Sequence, residues 1–352
     1  MSRRWPVAVL GATGAVGQTF VRLLAGHPWF ELRELAASER SVGLAYGAAA
    51  HWLEGELPND VAARAVIACD PALVSAPVVF SALDASAAGE LEASFARAGK
   101  LVLSNARAHR MDPDVPLVIP EVNGGHLAVI GEQRRRRGWS GAIVTNANCA
   151  ATVAAVALAP LHETFRLRQA VLMTMQAVSG AGYPGVPSLD IVGNVIPWIA
   201  DEEEKIEREL CKLLGEQRGD SIVSLDAVIS AQANRVPVEH GHTVCISASF
   251  DSELTPEEAR EVIRGWRGYP QVAGLPSAPE RPLVLLDGGD RPQPRRDANA
   301  GNGMTVSVGR VRDDNIFDLR MIALGHNTIR GAAGGSVLNA ELLAAMDQLP
   351  AA

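Results

Sequence analysis

The stretch Ile143-Val-Thr-Asn-Ala-Asn-Cys-Ala-Ala-Thr152 carries the chain's best candidate for covalent chemistry. A β-branched run, Ile143 and Val144, passes through Thr145 and Asn146, and Cys149 stands where an alanine-rich helical run begins. A thiol in the first turn of a helix meets free backbone N–H groups and the positive end of the helix dipole. Both favour the thiolate, and a thiolate so placed is a candidate nucleophile. Taken alone, a single cysteine reads as a small buried hydrophobe with no chemistry. The rest of the chain changes that balance.

A second constellation opens the sequence. Val7–Leu10 reads as a buried strand, Gly11-Ala-Thr-Gly14-Ala-Val-Gly17 follows, and Phe20, Leu23 and Leu24 then recur with helical spacing. Strand, glycine loop and helix in that order form the first unit of a dinucleotide-binding fold. In it Gly11, Thr13, Gly14, Ala15, Val16 and Gly17 would approach a pyrophosphate at the helix N-terminus. A plain glycine-rich turn is the weaker reading, because the loop begins directly after a strand. The next strand, Leu32–Ala37, ends in Ser38-Glu39-Arg40-Ser41. An NAD enzyme places an acid here for the ribose 2′-hydroxyl, and Glu39 could play that part. The two hydroxyls and the guanidinium of Ser38, Ser41 and Arg40 point instead to a 2′-phosphate, hence NADP.

The elements that position these groups alternate. Val78–Ala82 and Leu101–Ser104 read as strands around a helix from about Ala87 to Ala98, and Leu117–Pro120 and Ile143–Thr145 as the last strands of a parallel sheet. Beyond Cys149 the expectations are a helix over Ala151–Leu161 and a strand over Gln169–Met175. A glycine-rich site loop follows at Gln176–Gly185, too rich in glycine for an element, then a charged helix at Glu202–Leu214. Further strands fall at Ala227–Ala231, Thr243–Phe250 and Leu283–Leu286, with a helix at Pro256–Trp266. An amphipathic helix, Ala332–Met346, closes the chain and packs back on the first domain. The fold class is therefore α/β: an N-terminal Rossmann-type parallel sheet plus an α+β second domain with a mostly antiparallel sheet. Residues 1–147 with 331–352 form the first domain and 148–330 the second.

Composition narrows the partners. With 47% hydrophobic and 20% charged residues and 33 glycines, the chain fits a soluble α/β enzyme better than a helical bundle. A net charge of −8 argues against nucleic acid, so an anionic substrate needs a local cation cluster. The run Arg134–Arg137 reads as a solvated loop. Cys69, Cys149, Cys211 and Cys245 are scattered without CxxC spacing, which argues against disulfides or a zinc site and suits the cytoplasm. Glu239, His240 and His242 lack the further ligand a metal needs. No leader peptide is read in Met1-Ser-Arg-Arg-Trp-Pro6. The longest apolar run, Cys149–Leu161, is too short to span a bilayer, so no membrane partner is expected.

Several motifs coincide: Leu10–Gly17, Ser104–Met111, Val118–Asn123, Gln176–Pro187, Asn194–Pro197, Glu202–Lys205, Arg235–Val238 with Gly241-His242, Arg291–Pro294 and His326–Ala333. On these the chain closely resembles the aspartate-semialdehyde dehydrogenase family, in its archaeal and fungal branch, nearly end to end. The resemblance implies reversible NADPH-dependent reduction of L-aspartyl-4-phosphate to L-aspartate 4-semialdehyde and phosphate, on the branch leading to lysine, threonine and methionine. It implies Cys149 as nucleophile, His242 as acid/base and Gln176 as the group positioning the acyl intermediate. Arg235 would pair with the substrate carboxylate, Glu202 with its amino group, and Arg110 and Lys205 with phosphate, with Asn148 beside them. Ser179, Gly180 and Asn327 would meet the nicotinamide end of the cofactor. A homodimer or homotetramer formed through the second domain, residues 148–330, is also implied, which makes that α+β domain the catalytic and dimerisation domain.

The chemistry accounts for these residue types. A thiolate displaces phosphate to give a thioester, which accepts hydride more readily than a carboxylate. An imidazole moves the protons. An arginine fork suits a planar carboxylate, and a lysine point charge suits a phosphate. Blander readings exist: Arg235 as a surface ion-pair partner, Glu202–Lys205 as an ordinary helix pair. The chain departs from the family in Ala147, where Pro is usual, and Ala150, where Ser or Thr is usual. The first should loosen the approach to Cys149, and the second removes a hydroxyl beside it. A related reductase of malonyl-CoA would use the same Cys–His logic, but it would have no amine for Glu202. A catalytically silent relative would be expected to lose Cys149 or His242, and both are present.

Overall fold

Two sheets organise the chain in the computed structural model, which describes residues 4–351. The opening Met1-Ser2-Arg3, on which the leader-peptide reading partly rests, and Ala352, the last residue assigned to the first domain, lie outside the described residues. The first sheet is built from Trp5–Leu10 (β1), Phe30–Ala37 (β2), Ile67–Ala68 (β3), Val78–Ser81 (β4), Leu101–Ser104 (β5), Leu117–Val118 (β6) and Ala142–Asn146 (β7). Its order is β3-β2-β1-β4-β5-β7-β6, and every pairing is parallel. The strands read as near-continuous apolar runs because helices cover both faces. On one face Phe20, from the Ala15–Leu24 helix, meets Phe80 of β4 at a ring separation of 5.1 Å. The strand order reverses between β1 and β4, which opens a crevice beyond their carboxyl ends.

The second sheet takes Leu167–Gln176 (β8), and a small exposed hairpin of Glu216–Arg218 (β9) and Ser221–Val223 (β10) stands apart from it. Val228–Arg235 (β11), His242–Phe250 (β12), Leu283–Leu286 (β13), Val306–Asp313 (β14) and Leu319–Gly325 (β15) complete it in the order β11-β8-β12-β15-β14-β13. Its three inner pairings are antiparallel and the two outermost, β11 with β8 and β13 with β14, are parallel. The Cys149–Phe165 helix lies between the sheets, packed against residues of β6, β8, β12, β14 and β15.

Local details depart from the sequence reading. The helix of Cys149 begins at the cysteine and runs through Pro160 to Phe165. Its buried surroundings outweigh the proline, which costs the helix the hydrogen bond to the Val156 carbonyl. Arg134–Arg137 is not a loop but the last turn of the Ile130–Arg137 helix, ended by Gly138 in the left-handed conformation. Arg137 grips Asp112 and Asp114 and lies over Trp139. Inside the glycine-rich loop, Val178–Ala181 forms a short 3-10 turn. The last helix, Gly334–Ala345, is not amphipathic. It is buried on every side from Gly334 to Ala344, because it threads between the first sheet and its neighbouring helices. A buried two-pronged ion pair, Arg330 Nη1 and Nη2 to Glu121 at 2.7 Å each, fixes its approach.

Candidate active site

The groups singled out in the second half of the sequence sit at element ends, and the ends converge. In the parallel β8–β11 pair Arg235 is the register partner of Gln176, and in the antiparallel β8–β12 pair Thr243 faces Met175. His242, at the start of β12, therefore comes level with Gln176. One end of the sheet thus carries Arg235, Gln176 and His242 in adjacent strands. Against that end stand the N-termini of two helices, one opening with Cys149 and one, Glu202–Leu213, opening with Glu202.

The turn into Cys149 is held from several sides. Asn148 caps the helix, its Oδ1 accepting the N–H groups of Ala150 at 2.9 Å and Ala151 at 3.0 Å. Its Nδ2 donates to Glu202 Oε1 at 2.7 Å, and Gln176 Nε2 donates to the same oxygen at 3.0 Å. The backbone N–H of Asn148 donates to Glu209 Oε2 at 2.6 Å. Ala147 and Ala150 are both buried, and this pinning replaces the looseness expected from the absent proline.

Glu209 was not singled out in the sequence, although it lies two helical turns from Glu202 and so on the same face. Its other oxygen accepts from Arg110 Nη1 at 2.9 Å, and Arg110 Nη2 donates to the Asn105 carbonyl at 2.8 Å. One more turn along, buried Lys212 donates to the carbonyls of Arg110, Asp112 and Val115 at 2.7–2.8 Å. A single face of one helix, Glu202, Lys205, Glu209 and Lys212, thereby joins the nucleophile turn to the loop after β5.

A cavity of about 440 Å³ opens over these groups. Of the predicted site residues, Val16, Arg110, Asn148, Cys149, Gln176, Ser179, Gly180, Glu202, Lys205, Arg235 and Asn327 line it. Asn105, Arg107, Thr328 and Gly331 line it as well and were not foreseen, although Asn105, Arg107 and the other two fall within the motif segments. Lys205 Nζ lies 3.5 Å from Glu202 Oε2. Arg235 Nη1 donates to the Ala177 carbonyl at 2.8 Å and has no carboxylate partner among the described residues. Asn327 donates to Ser179 Oγ at 2.8 Å and accepts the Gly241 N–H at 2.9 Å, which ties the glycine-rich loop to the start of β12.

His242 lies beneath this lining rather than in it. It is fully buried, and Gly180 covers it. A Cβ on Gly180 would come within 2.9 Å of Arg235 Nη1 and 3.0 Å of His242 Cε1, so a larger residue there would have to displace the guanidinium or the imidazole from beneath the cavity. The Ala177 N–H donates to His242 Nδ1 at 3.1 Å, which leaves the neutral ring protonated at Nε2, and Nε2 has no partner among the described residues.

Burial dominates the electrostatics. The Cys149 thiol is pushed up to about 12, by desolvation first and by Glu202 next, against the weaker pull of Arg110, Arg235 and the Ala150 N–H. The helix N-terminus therefore does not make a standing thiolate, contrary to the sequence expectation. His242 is pushed down to about 3, by desolvation first and then by Arg235 and His326. With these shifts, thiol and imidazole are both neutral at pH 7 in the unliganded site.

The first sheet offers the surroundings a dinucleotide needs. The Ala15–Leu24 helix begins at Gly14 with no side-chain cap and no acid in its first turn, so its free N–H groups face the crevice. Gly17 packs so closely on the loop that a Cβ would stand 2.2 Å from the Gly11 carbonyl oxygen. Gly11, Thr13, Gly14, Ala15 and Gly17 do not line the 440 Å³ cavity; they continue the crevice from Val16. Ser38, Arg40 and Ser41 lie apart from it too, beyond the end of β2. Ser38 and Arg40 are exposed there, and Arg40 has no ion-pair partner among the described residues. No cluster of three or more His, Cys, Asp or Glu residues among those described is arranged to hold a metal.

Comparison with known proteins agrees with this architecture. Residues 6–130 match the semialdehyde dehydrogenase NAD binding domain and residues 158–330 the semialdehyde dehydrogenase dimerisation domain. An aspartate-semialdehyde dehydrogenase of Archaeoglobus fulgidus is 50% identical over 341 residues, covering 97% of this chain and 98% of the relative. A malonyl CoA reductase (NADP) of Metallosphaera sedula is 41% identical over 353 residues, 97% of this chain and 98% of that one. Among solved structures, aspartate semialdehyde dehydrogenase with NADP from Candida albicans superposes with a TM-score of 0.90 at 41% identity, covering 99% and 100% of the two chains.

Proposed function

The chain belongs to the aspartate-semialdehyde dehydrogenase family, and from that premise we propose that it interconverts L-aspartyl-4-phosphate and L-aspartate 4-semialdehyde with NADP. The observation that carries the reading is the row Arg235, Gln176 and His242 at one sheet end, facing Cys149 and Glu202 at two helix N-termini. Arg235, with a guanidinium face free of any carboxylate, takes the substrate carboxylate. Glu202 takes the amino group, and Arg110 with Lys205 makes the phosphate side positive. Cys149 sulfur bonds to the acyl carbon, the carbon–oxygen bond to phosphate breaks, and the thiol proton leaves with the phosphate. Asn148 and Gln176, both held by Glu202, fix the thioester that results. The Gly11–Gly17 loop, Ser38, Arg40 and Ser41 at the 2′-phosphate and Ser179, Gly180 and Asn327 at the other end would hold NADPH, whose chemistry there would be to supply hydride. The neutral His242 ring would offer its Nε2–H as a hydrogen bond to the oxygen that gains charge as the thioester takes up hydride. That oxyanion then re-forms the carbonyl, the carbon–sulfur bond breaks to release the aldehyde, and the Cys149 thiolate takes a proton from solvent.

The protein is read as a homodimer or homotetramer in the cytoplasm. The outer edge of β11 is covered within the chain, Ala231 and Ala233 donating to Glu207 and Glu203 and Arg235 bridging to Ile196, while Val171, Met173 and Val228 are exposed on one face of β8 and β11. No helix of the described residues is long and apolar enough to cross a membrane.

The test is phosphate-dependent oxidation of L-aspartate semialdehyde, followed as NADPH absorbance, with Cys149→Ala as control. Turnover that needs phosphate and vanishes in the variant is expected. Turnover with malonyl-CoA and none with the aldehyde would replace this substrate by the one named for the Metallosphaera sedula relative.

A further inference from the structure

The cations around the cavity differ in how firmly they are held. Arg110 is buried, with Nη1 on the Glu209 carboxylate and Nη2 on the Asn105 carbonyl, and Lys212 binds the backbone beside it. Such a guanidinium cannot turn toward a ligand without leaving a buried carboxylate unpaired. Arg235 is anchored on the Ala177 carbonyl. Arg107 is different. It lines the same cavity from the loop after β5, half its side chain is exposed, and its only charged partner among the described residues is Asp201, itself exposed. Asp201 sits across the cleft, next before Glu202, in the left-handed conformation. Its carboxylate makes no capping hydrogen bond to the helix it precedes. An exposed pair of this kind adds little to stability. A phosphate dianion offers the same fork more charge and a matching pair of oxygens.

We propose that Arg107 is a further phosphate ligand: it exchanges Asp201 for the phosphate group of the substrate, while Arg110 stays on Glu209 as a fixed charge. The inference rests on the acyl-phosphate reading above and deepens it. It makes Asp201 a competitor of phosphate for one guanidinium, with Lys205 the other adjustable cation.

The experiment measures the KM for inorganic phosphate in the oxidative direction, and phosphate binding directly by titration calorimetry. Arg107→Gln should raise the phosphate KM about tenfold while the KM values for aldehyde and NADP stay within twofold. Asp201→Asn should lower the phosphate KM two- to threefold, and asparagine tolerates the backbone conformation at that position. An unchanged phosphate KM in Arg107→Gln, or an equal rise for NADP, overturns the proposal. If the wild-type enzyme fails to turn over the aldehyde, the substrate reading has failed separately. The calorimetry then decides: phosphate binding lost in Arg107→Gln upholds the ligand, and equal binding in both proteins removes it.

Discussion

Replacing Glu209 with alanine should cost the protein much of its stability, and the structure sets the size. Oε1 neutralises Arg110, which is 8% exposed, and Oε2 accepts the backbone N–H that opens the turn to Cys149. Breaking one partner from a buried ion pair costs about 3–5 kcal/mol, and orphaning a buried N–H costs roughly 1–3 kcal/mol. Both groups share one carboxylate, so the losses overlap, and about 4–6 kcal/mol is expected. That is a large part of a total stability of about 5–15 kcal/mol. The assay is urea unfolding of wild type, Glu209→Ala, Arg110→Met and the double variant Arg110→Met/Glu209→Leu. Because apolar groups of similar volume can replace a buried pair at little net cost, the double variant should recover most of the loss while its activity stays low. A loss under about 1 kcal/mol in Glu209→Ala, or two single losses that simply add in the double variant, would refute the claim that this carboxylate joins the two loops.

Three other outcomes follow from the site. Gly180→Ala should lower kcat/KM at least tenfold, about 1.4 kcal/mol, because neither Arg235 nor His242 can retreat from the added methyl while both are tied to Ala177; a change under twofold would show the loop to be slack. Stability should fall as pH drops from about 6.5 toward 4. Burial holds His126 and His326 down to about 4 and His242 to about 3, so the unfolded chain takes up protons first and the stabilisation present above the unfolded value is lost in that window. Each histidine contributes roughly 1.4 kcal/mol per pH unit there, and urea midpoints that stay level between pH 7 and 5 would contradict it. Arg40→Ala should raise the KM for NADPH about tenfold and leave that for NADH nearly unchanged. Equal losses would place Arg40 away from the 2′-phosphate.

Of the residues singled out, Cys149, the glycine loop and Ser38–Ser41 are read from local sequence, whereas Gln176, Glu202, Arg235 and His242 are read from the motifs shared with the family. Cys149 and these last four all lie at element ends. Cys149 and Glu202 open helices, Gln176 and Arg235 close strands and His242 opens one, and for Cys149 that position leaves a local trace in the β-branched run and alanine-rich start around it. Glu209 and Lys212 leave none. In the middle of a charged helix they read as solvated, and only the approach of a loop about a hundred residues away along the chain buries them. The thiol shows the same limit from the other side. Its placement at a helix start was readable, but the sign of its pKa shift was not. That sign depends on desolvation between two sheets and on Glu202, both products of tertiary contact. Arg134–Arg137 and the last helix were misread for one reason: whether a polar or apolar run is exposed is decided by its neighbours in space. The single face Glu202, Lys205, Glu209 and Lys212 is therefore the structural core of the site. It carries the carboxylate that holds Asn148 and Gln176, the one that holds Arg110, and the ammonium that holds the loop bearing Arg107, so a change at any of the four should be felt at the sulfur.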